Sequence, residues 1–134
     1  MSQTFEDIQN EYLEDITWNE LNSSSKISNC ALYIAKYQKH YFNGLKKLYI
    51  IDEALGNKYQ SLFIEYSLDF DVKLKPSEVK QFIDTNSEYL KLKHAKNKLE
   101  NQINFFEESM KNINSMRWDI KTFLELEKFK QGIV

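Results

Sequence analysis

Apolar residues in the C-terminal part of the chain follow one spacing. Between residues 86 and 130, Tyr89, Leu92, Leu99, Ile103, Phe106, Met110, Ile113, Ile120 and Leu124 alternate in threes and fours, interrupted only by Lys96 and Arg117. A stripe that recurs about every 3.5 residues predicts a helix packing lengthwise on other helices. No proline or glycine breaks the stretch before Gly132. As one rod it would reach about 65 Å at about 1.5 Å per residue. A compact chain of this size has a diameter of only about 36 Å. The rod is either broken or part of an oligomer, and the oligomer is the reading taken, with Leu99, Ile103, Phe106, Met110, Ile113, Ile120 and Leu124 as the oligomerisation seam.

A matching seam runs earlier in the chain through Ile27, Cys30, Ile34, Tyr37, Tyr41, Gly44, Leu48, Ile51, Leu55, Lys58 and Leu62, and predicts a long helix over 23–66. Gly44 and Gly56 lie inside it and would mark bends or close helix contacts. Before it, residues 1–22 form an acidic helix and connector. Thr4 caps the helix with Asp7 three residues on, Phe5, Ile8, Tyr12 and Ile16 form its apolar face, and Trp18 and Leu21 anchor the connector. Residues 67–85 read as a loop, with Asp69 and Asp71 followed by Lys73 and Lys75, and then a short helix. Ser77 is its expected N-cap and Val79, Phe82 and Ile83 its apolar side. The fold class is therefore mainly α: two long helices plus short ones in one domain over 1–134, assembling into a helical oligomer.

Composition sharpens this picture. Three glycines and one proline in 134 residues disfavour turn-rich β folds and phosphate-cradling loops. The net charge of −2 gives no overall pull on polyanions, but the charge is blocky. Glu6, Asp7, Glu11, Glu14, Asp15 and Glu20 leave the first helix purely acidic, whereas residues 26–58 carry six lysines against Asp52 and Glu53. Residues 91–98, KLKHAKNK, add four lysines and no acid. Cys30 is the only cysteine, which excludes an intrachain disulfide and favours a cytosolic setting. The acidic start is unlike a signal peptide, and no apolar run is long enough to span a membrane.

The chemistry this allows is narrow. His40 and His94 stand alone, there is no HExxH pair, and Walker and dinucleotide motifs are absent, so no enzyme, cofactor or metal site is expected. The adjacent carboxylates Glu107–Glu108 and Asp52–Glu53 point to different helix azimuths and read as solvated faces. Nucleic-acid binding fits better. Lys36, Lys39, Lys46, Lys47 and Lys58 are interleaved with Tyr33, Tyr37, Tyr41, Tyr49 and Tyr59, a pattern suited to phosphate contacts and base stacking. Against this, Tyr37 and Tyr41 lie on the seam and serve a core equally well. Arg117, the only arginine, occupies a seam position, where it must snorkel, pair or face a functional channel. An ion pair with an acid on a neighbouring helix is the structural reading.

One run makes the chain more specific. SMKNINSMRWDIKTFLELEKFKQG, Ser109 to Gly132, resembles the C-terminal helix of the UvsY recombination mediators of large tailed phages, through Ile113, Ser115, Trp118, Ile120, Lys121, Phe129 and Gly132. SEVK at Ser77–Lys80 with Asp84, the acidic FEDIQNEYLEDI, and Leu32, Tyr33, Lys39 and His40 are similar to other parts of that family, in the same order. The resemblance implies a non-enzymatic, ring-like homo-oligomer of roughly six or seven copies in the cytoplasm of the infected host. Its partners would be single-stranded DNA, a RecA-like recombinase of the UvsX type and the phage single-strand-binding protein, with no membrane. The family's DNA-binding cations fall late in the first long helix. There this chain keeps Lys58 but has Tyr59, Gln60 and Ser61 where more basic charge is expected. Candidate DNA-binding residues are Lys39, Lys46, Lys47, Lys58, Tyr59, Arg117 and Lys121; Lys91, Lys93, Lys96 and Lys98 would also compensate for the missing charge. The alternative is a coiled-coil scaffold or assembly adaptor binding only proteins.

Overall fold

Thr4 opens the first helix as its sequence predicts. Its hydroxyl accepts from the Asp7 N–H at 3.1 Å, and the Asp7 carboxylate accepts from the Thr4 N–H at 3.1 Å. This reciprocal box satisfies two N–H groups that a helix start would otherwise leave unpaired. The computed structural model describes residues 3–69 and 73–132. It consists of α1 (Phe5–Ile16), α2 (Ser23–Asp69), α3 (Pro76–Asp84) and α4 (Ser87–Lys130), with no strand among the described residues.

The two long seams are continuous helices. α2 runs three residues beyond its expected end at residue 66, which shortens the expected loop, and Asp71 of that loop lies outside the described residues. A Cβ at Gly56 would meet nothing within 4 Å, so this glycine marks open surface rather than a close helix contact. α3 begins two residues earlier than a Ser77 cap would place it. Lys75 holds the cap position, and the Glu78 carboxylate accepts from its N–H at 3.3 Å, while Pro76 fills the first helical position, where a missing N–H costs nothing. Asn86 opens α4 by accepting from the Tyr89 N–H at 3.0 Å. At the far end Gly132 adopts φ +75°, a left-handed conformation in which a side chain would be strained, just past the last turn.

Packing divides the chain into two units. Unit 1 holds residues up to Phe42 and from Gln102 onward, and unit 2 holds Asn43–Asn101. In unit 1, α1 and the adjoining parts of α2 and α4 enclose Ile8, Cys30, Tyr37, Phe106, Ile113, Met116 and Ile120. Phe5 and Tyr12 of α1 meet Phe105 edge-on, each with ring centroids 5.3 Å apart. Because α1 covers a second side of α4, the buried sector is wider than a two-helix seam. It takes in Ser109 and Met116, which the simple repeat skips. Trp18 anchors the connector against Phe123, with centroids 5.7 Å apart. Leu21 does not: it is 98% exposed, held outward by a turn in which Asn19 and Asn22 exchange backbone-to-amide hydrogen bonds of 2.8 and 3.0 Å. In unit 2, Leu62, Val79 and Ile83 form the buried cluster, flanked by Tyr59, Phe63, Tyr66, Leu74 and Tyr89. Phe82, expected to be apolar lining, is exposed but lies 5.9 Å from the Tyr66 ring.

Candidate nucleic-acid interface

Which cations are free to meet a phosphate depends on which acids already hold them. In unit 1 the acidic α1 lies against the lysines of α2. Lys36 donates to Glu11 at 2.7 Å and also to Asp15, whose carboxylate is buried and accepts from the Tyr37 hydroxyl at 2.8 Å. Lys26 donates to the Glu14 carbonyl at 2.6 Å. The Lys36 hydrogen bond, and then that from Gln3, lowers the Glu11 pKa below its ordinary value. Burial works against the Lys36 charge, but the bonds to Asp15 and Glu11 outweigh it and raise its pKa. Burial, reinforced by Asp15, raises that of Tyr37. Lys26 and Lys36 are thus structural, and Tyr37 and Tyr41 belong to the core.

Lys39 is exposed and forms no ion pair among the described residues, in contrast to Lys36 one turn away. On α4 of the same unit, Arg117 departs from the expectation of a seam residue paired with an acid. It is exposed and has no ion pair among the described residues, because Met116 takes the buried position in the widened sector. Its guanidinium instead lies 5.6 Å from the centre of the Trp118 ring, and the Lys121 ammonium lies 4.8 Å from it. These three residues and Ile27 line a groove of about 340 Å³.

In unit 2, Lys46 and Lys47 are exposed and make no ion pair among the described residues. Lys58 is held by Glu88, and its hydrogen bond to that carboxylate raises the lysine's pKa. Tyr59 packs beside the Leu62 cluster, stacked on Phe63 at 6.5 Å and tilted against Tyr89 at 6.1 Å. Lys96, the other interruption of the α4 seam, pairs with Asp52 at 2.7 Å. Beside it, a second groove of about 480 Å³ is lined by Gly56, Tyr59, Tyr89 and Lys93 among others, and the Lys93 ammonium sits 5.5 Å from the Tyr89 ring.

The residues expected to form the oligomer seam are covered within one chain. Leu99 is buried in unit 2; in unit 1 Ile103, Phe106, Ile113 and Ile120 are buried, and Met110 and Leu124 pack against the core. Trp118 is the residue that a search for lysine–tyrosine interleaving misses. Its signal was an aromatic one step off the seam, between Arg117 and Lys121. His40, one of the two histidines, stacks on Phe106 with centroids 5.3 Å apart. Among the described residues no three His, Cys, Asp or Glu side chains converge as metal ligands would, and no helix is long and apolar enough to cross a membrane.

The family described as recombination, repair and ssDNA binding protein UvsY matches residues 11–133. No curated protein matches the chain by sequence. Among solved structures, three crystal forms of the bacteriophage T4 recombination mediator protein UvsY share its fold. Lattice type II gives a TM-score of 0.86 at 17% identity, covering 97% of this chain and 99% of the other. Type IV gives 0.84 at 16%, covering 95% and 98%, and type I gives 0.83 at 18%, covering 92% and 98%.

Proposed function

The chain belongs to the UvsY family of recombination, repair and single-stranded-DNA-binding proteins, and from that premise we propose that it is a recombination mediator. It binds single-stranded DNA and promotes loading of a RecA-like recombinase of the UvsX type on strands coated by a phage single-strand-binding protein. The match over residues 11–133 is the observation that carries this reading. The exposed cations Lys39, Lys46, Lys47, Arg117 and Lys121, which make no ion pair among the described residues, support it, because a cation not held by a protein carboxylate can neutralise a phosphate without first breaking an ion pair. Lys58 serves the strand only in competition with Glu88, and Tyr59 only through the edge it leaves uncovered by Phe63 and Tyr89.

The mediator acts without chemistry of its own, in the cytoplasm of the infected host. A homo-oligomer of roughly six or seven copies arranged as a ring repeats the cations around one strand, and holding strand and recombinase together raises their effective concentration. The buried α4 seam keeps the helix in register within each copy, so subunit contacts fall on exposed side chains such as Leu126 and Phe129.

Fluorescence anisotropy of a labelled oligonucleotide across a salt series tests the strand-binding core of this proposal. Affinity falls steeply with salt, and replacing Lys46 and Lys47 by Ala together lowers the log–log slope by about 1.4, at about 0.7 per phosphate contact on a single strand. A scaffold that binds only proteins gives no binding at micromolar concentration, or binding indifferent to salt, and either result overturns the proposal.

A further inference from the structure

The geometry points to Trp118 as a stacking platform for an unpaired base, with Arg117 and Lys121 taking the phosphates on either side of that nucleotide. The inference deepens the single-strand-binding reading and rests on it. Trp118 is 52% exposed and absent from the unit 1 core, although a tryptophan carries the largest apolar ring of any side chain. Both charged neighbours are turned onto it, at 5.6 and 4.8 Å, and neither has an ion pair among the described residues.

A cation on an indole face is a weak contact at an exposed site, and it is readily exchanged for a phosphate and a base that satisfy the cation and the ring together. The groove of about 340 Å³ beside the ring adds an apolar wall from Ile27. Such a site has the two elements of sequence-tolerant strand recognition, a π surface and positive charge, and offers no hydrogen-bonding edge that would select one base. A carboxylate-bearing peptide would satisfy the cations but leave the indole face uncovered, so the nucleotide is the better occupant.

The test is a titration with labelled oligodeoxythymidylate, followed by anisotropy and by intrinsic tryptophan emission. The two tryptophans are separated by comparing the wild type with Trp118→Phe, which retains only the emission of Trp18. Binding is expected to quench the wild-type emission, and that quenching disappears in Trp118→Phe. Trp118→Ala weakens binding by about 5- to 100-fold with an unchanged salt slope, while Trp118→Phe stays within about 3-fold of wild type. Lys121→Ala instead lowers the slope by about 0.7. Because Trp118 lies outside the core, the variants should melt with the wild type.

If the oligonucleotide binds with no quenching and equal affinity for all three proteins, the stacking site is overturned while the strand-binding function stands. If the wild type does not bind at all, both fall. Emission that is already shielded from acrylamide without DNA, and shielded more as protein concentration rises, would make Trp118 a subunit contact and overturn the inference.

Discussion

The two units handle the same ingredients, lysines and aromatic rings on α2 and α4, differently where α2 meets α1. In unit 1 the acidic α1 lies along α2 and draws Lys26 and Lys36 into hydrogen bonds with the Glu14 carbonyl, Glu11 and Asp15, while Tyr33 and Tyr37 lie beneath the Lys36 ammonium at 5.6 and 5.0 Å. In unit 2 no acidic helix covers the lysines that follow: Lys46 and Lys47 remain unpaired among the described residues. Lys and Tyr are interleaved along the whole stretch, yet a third helix makes Lys26 and Lys36 structural and leaves Lys39, Lys46 and Lys47 without an ion pair among the described residues. The cores differ in the same sense. Among the described residues, the main buried cluster of unit 1 draws on three helices and includes Tyr37, Phe106 and Ile113, against the smaller Leu62, Val79 and Ile83 cluster of unit 2 bordered by tyrosines. Local stability follows buried apolar contact, so unit 2 should open first.

The largest expected effect tests that ranking directly. Ile113 and Ile83 are both fully buried, one in each core. Ile113→Ala leaves a cavity in the cluster that also holds Tyr37, Phe106 and Met116 and costs about 3–5 kcal/mol, whereas Ile83→Ala costs about 2 kcal/mol because the small cluster can collapse around it. Urea denaturation measures the two costs, and native-state hydrogen exchange locates them. Ile83→Ala should speed exchange in α3 and its neighbours while unit 1 stays protected; equal acceleration in both units would erase the distinction.

A smaller effect comes from the charges between α1 and α2. Asp15→Ala removes the acceptor of both Lys36 and the buried Tyr37 hydroxyl, and costs about 2–3 kcal/mol. The pH dependence has two limbs. Glu11 is held below its ordinary 4.5 by Lys36 and then Gln3, so its contribution is present above pH 4.5 and is lost as pH falls through its lower folded value. Lys36 is raised above 10.5 and Tyr37 above 10.0, so their contributions are present below those values and vanish as pH climbs through the folded ones. Thermal melts between pH 3 and 11 should show both limbs, and Glu11→Gln should flatten the acid one. An acid limb unchanged in Glu11→Gln would place its origin elsewhere.

Much of this architecture could be read from the chain. Threes and fours located both long helices, and Thr4 with Asp7 marked the start of α1, because those signals act within one or two turns. The exceptions on α4 share a cause: its covering by a third helix is a long-range event that a two-helix repeat does not encode. It moved the buried position from Arg117 to Met116, exposed the arginine beside Trp118, and buried Ile103, Phe106, Ile113 and Ile120 within the chain. The blocky charge held a usable hint, since a purely acidic helix beside a basic one invites pairing. Partner choice was not legible: nothing local says that Lys36 meets Glu11 from 25 residues away, or that Lys58 meets Glu88 from 30.

Lys58, like Lys96 beside Asp52, is a unit 2 lysine already engaged by a carboxylate as Lys36 is in unit 1, and it gives the smallest and most discriminating test. The pair is exposed, Glu88 with 68% of its side chain accessible, so solvent screens it and removing it should leave the melting temperature nearly unchanged. Its effect on a strand should be larger than its effect on the fold. Glu88→Gln removes a negative charge from the side of a cation, freeing Lys58 for phosphate and lifting local repulsion of the backbone. Affinity for an oligonucleotide should rise a few-fold at low salt, with the log–log slope steepening by about 0.7 as one more phosphate is neutralised. The matching change in unit 1, Glu11→Gln, should do the reverse and lower stability without improving affinity, because Lys36 remains bonded to the buried Asp15. If Glu88→Gln leaves both affinity and slope unchanged, Lys58 does not touch the strand. The open lysines of unit 2, Lys46 and Lys47, would then carry that unit's phosphate contacts without it.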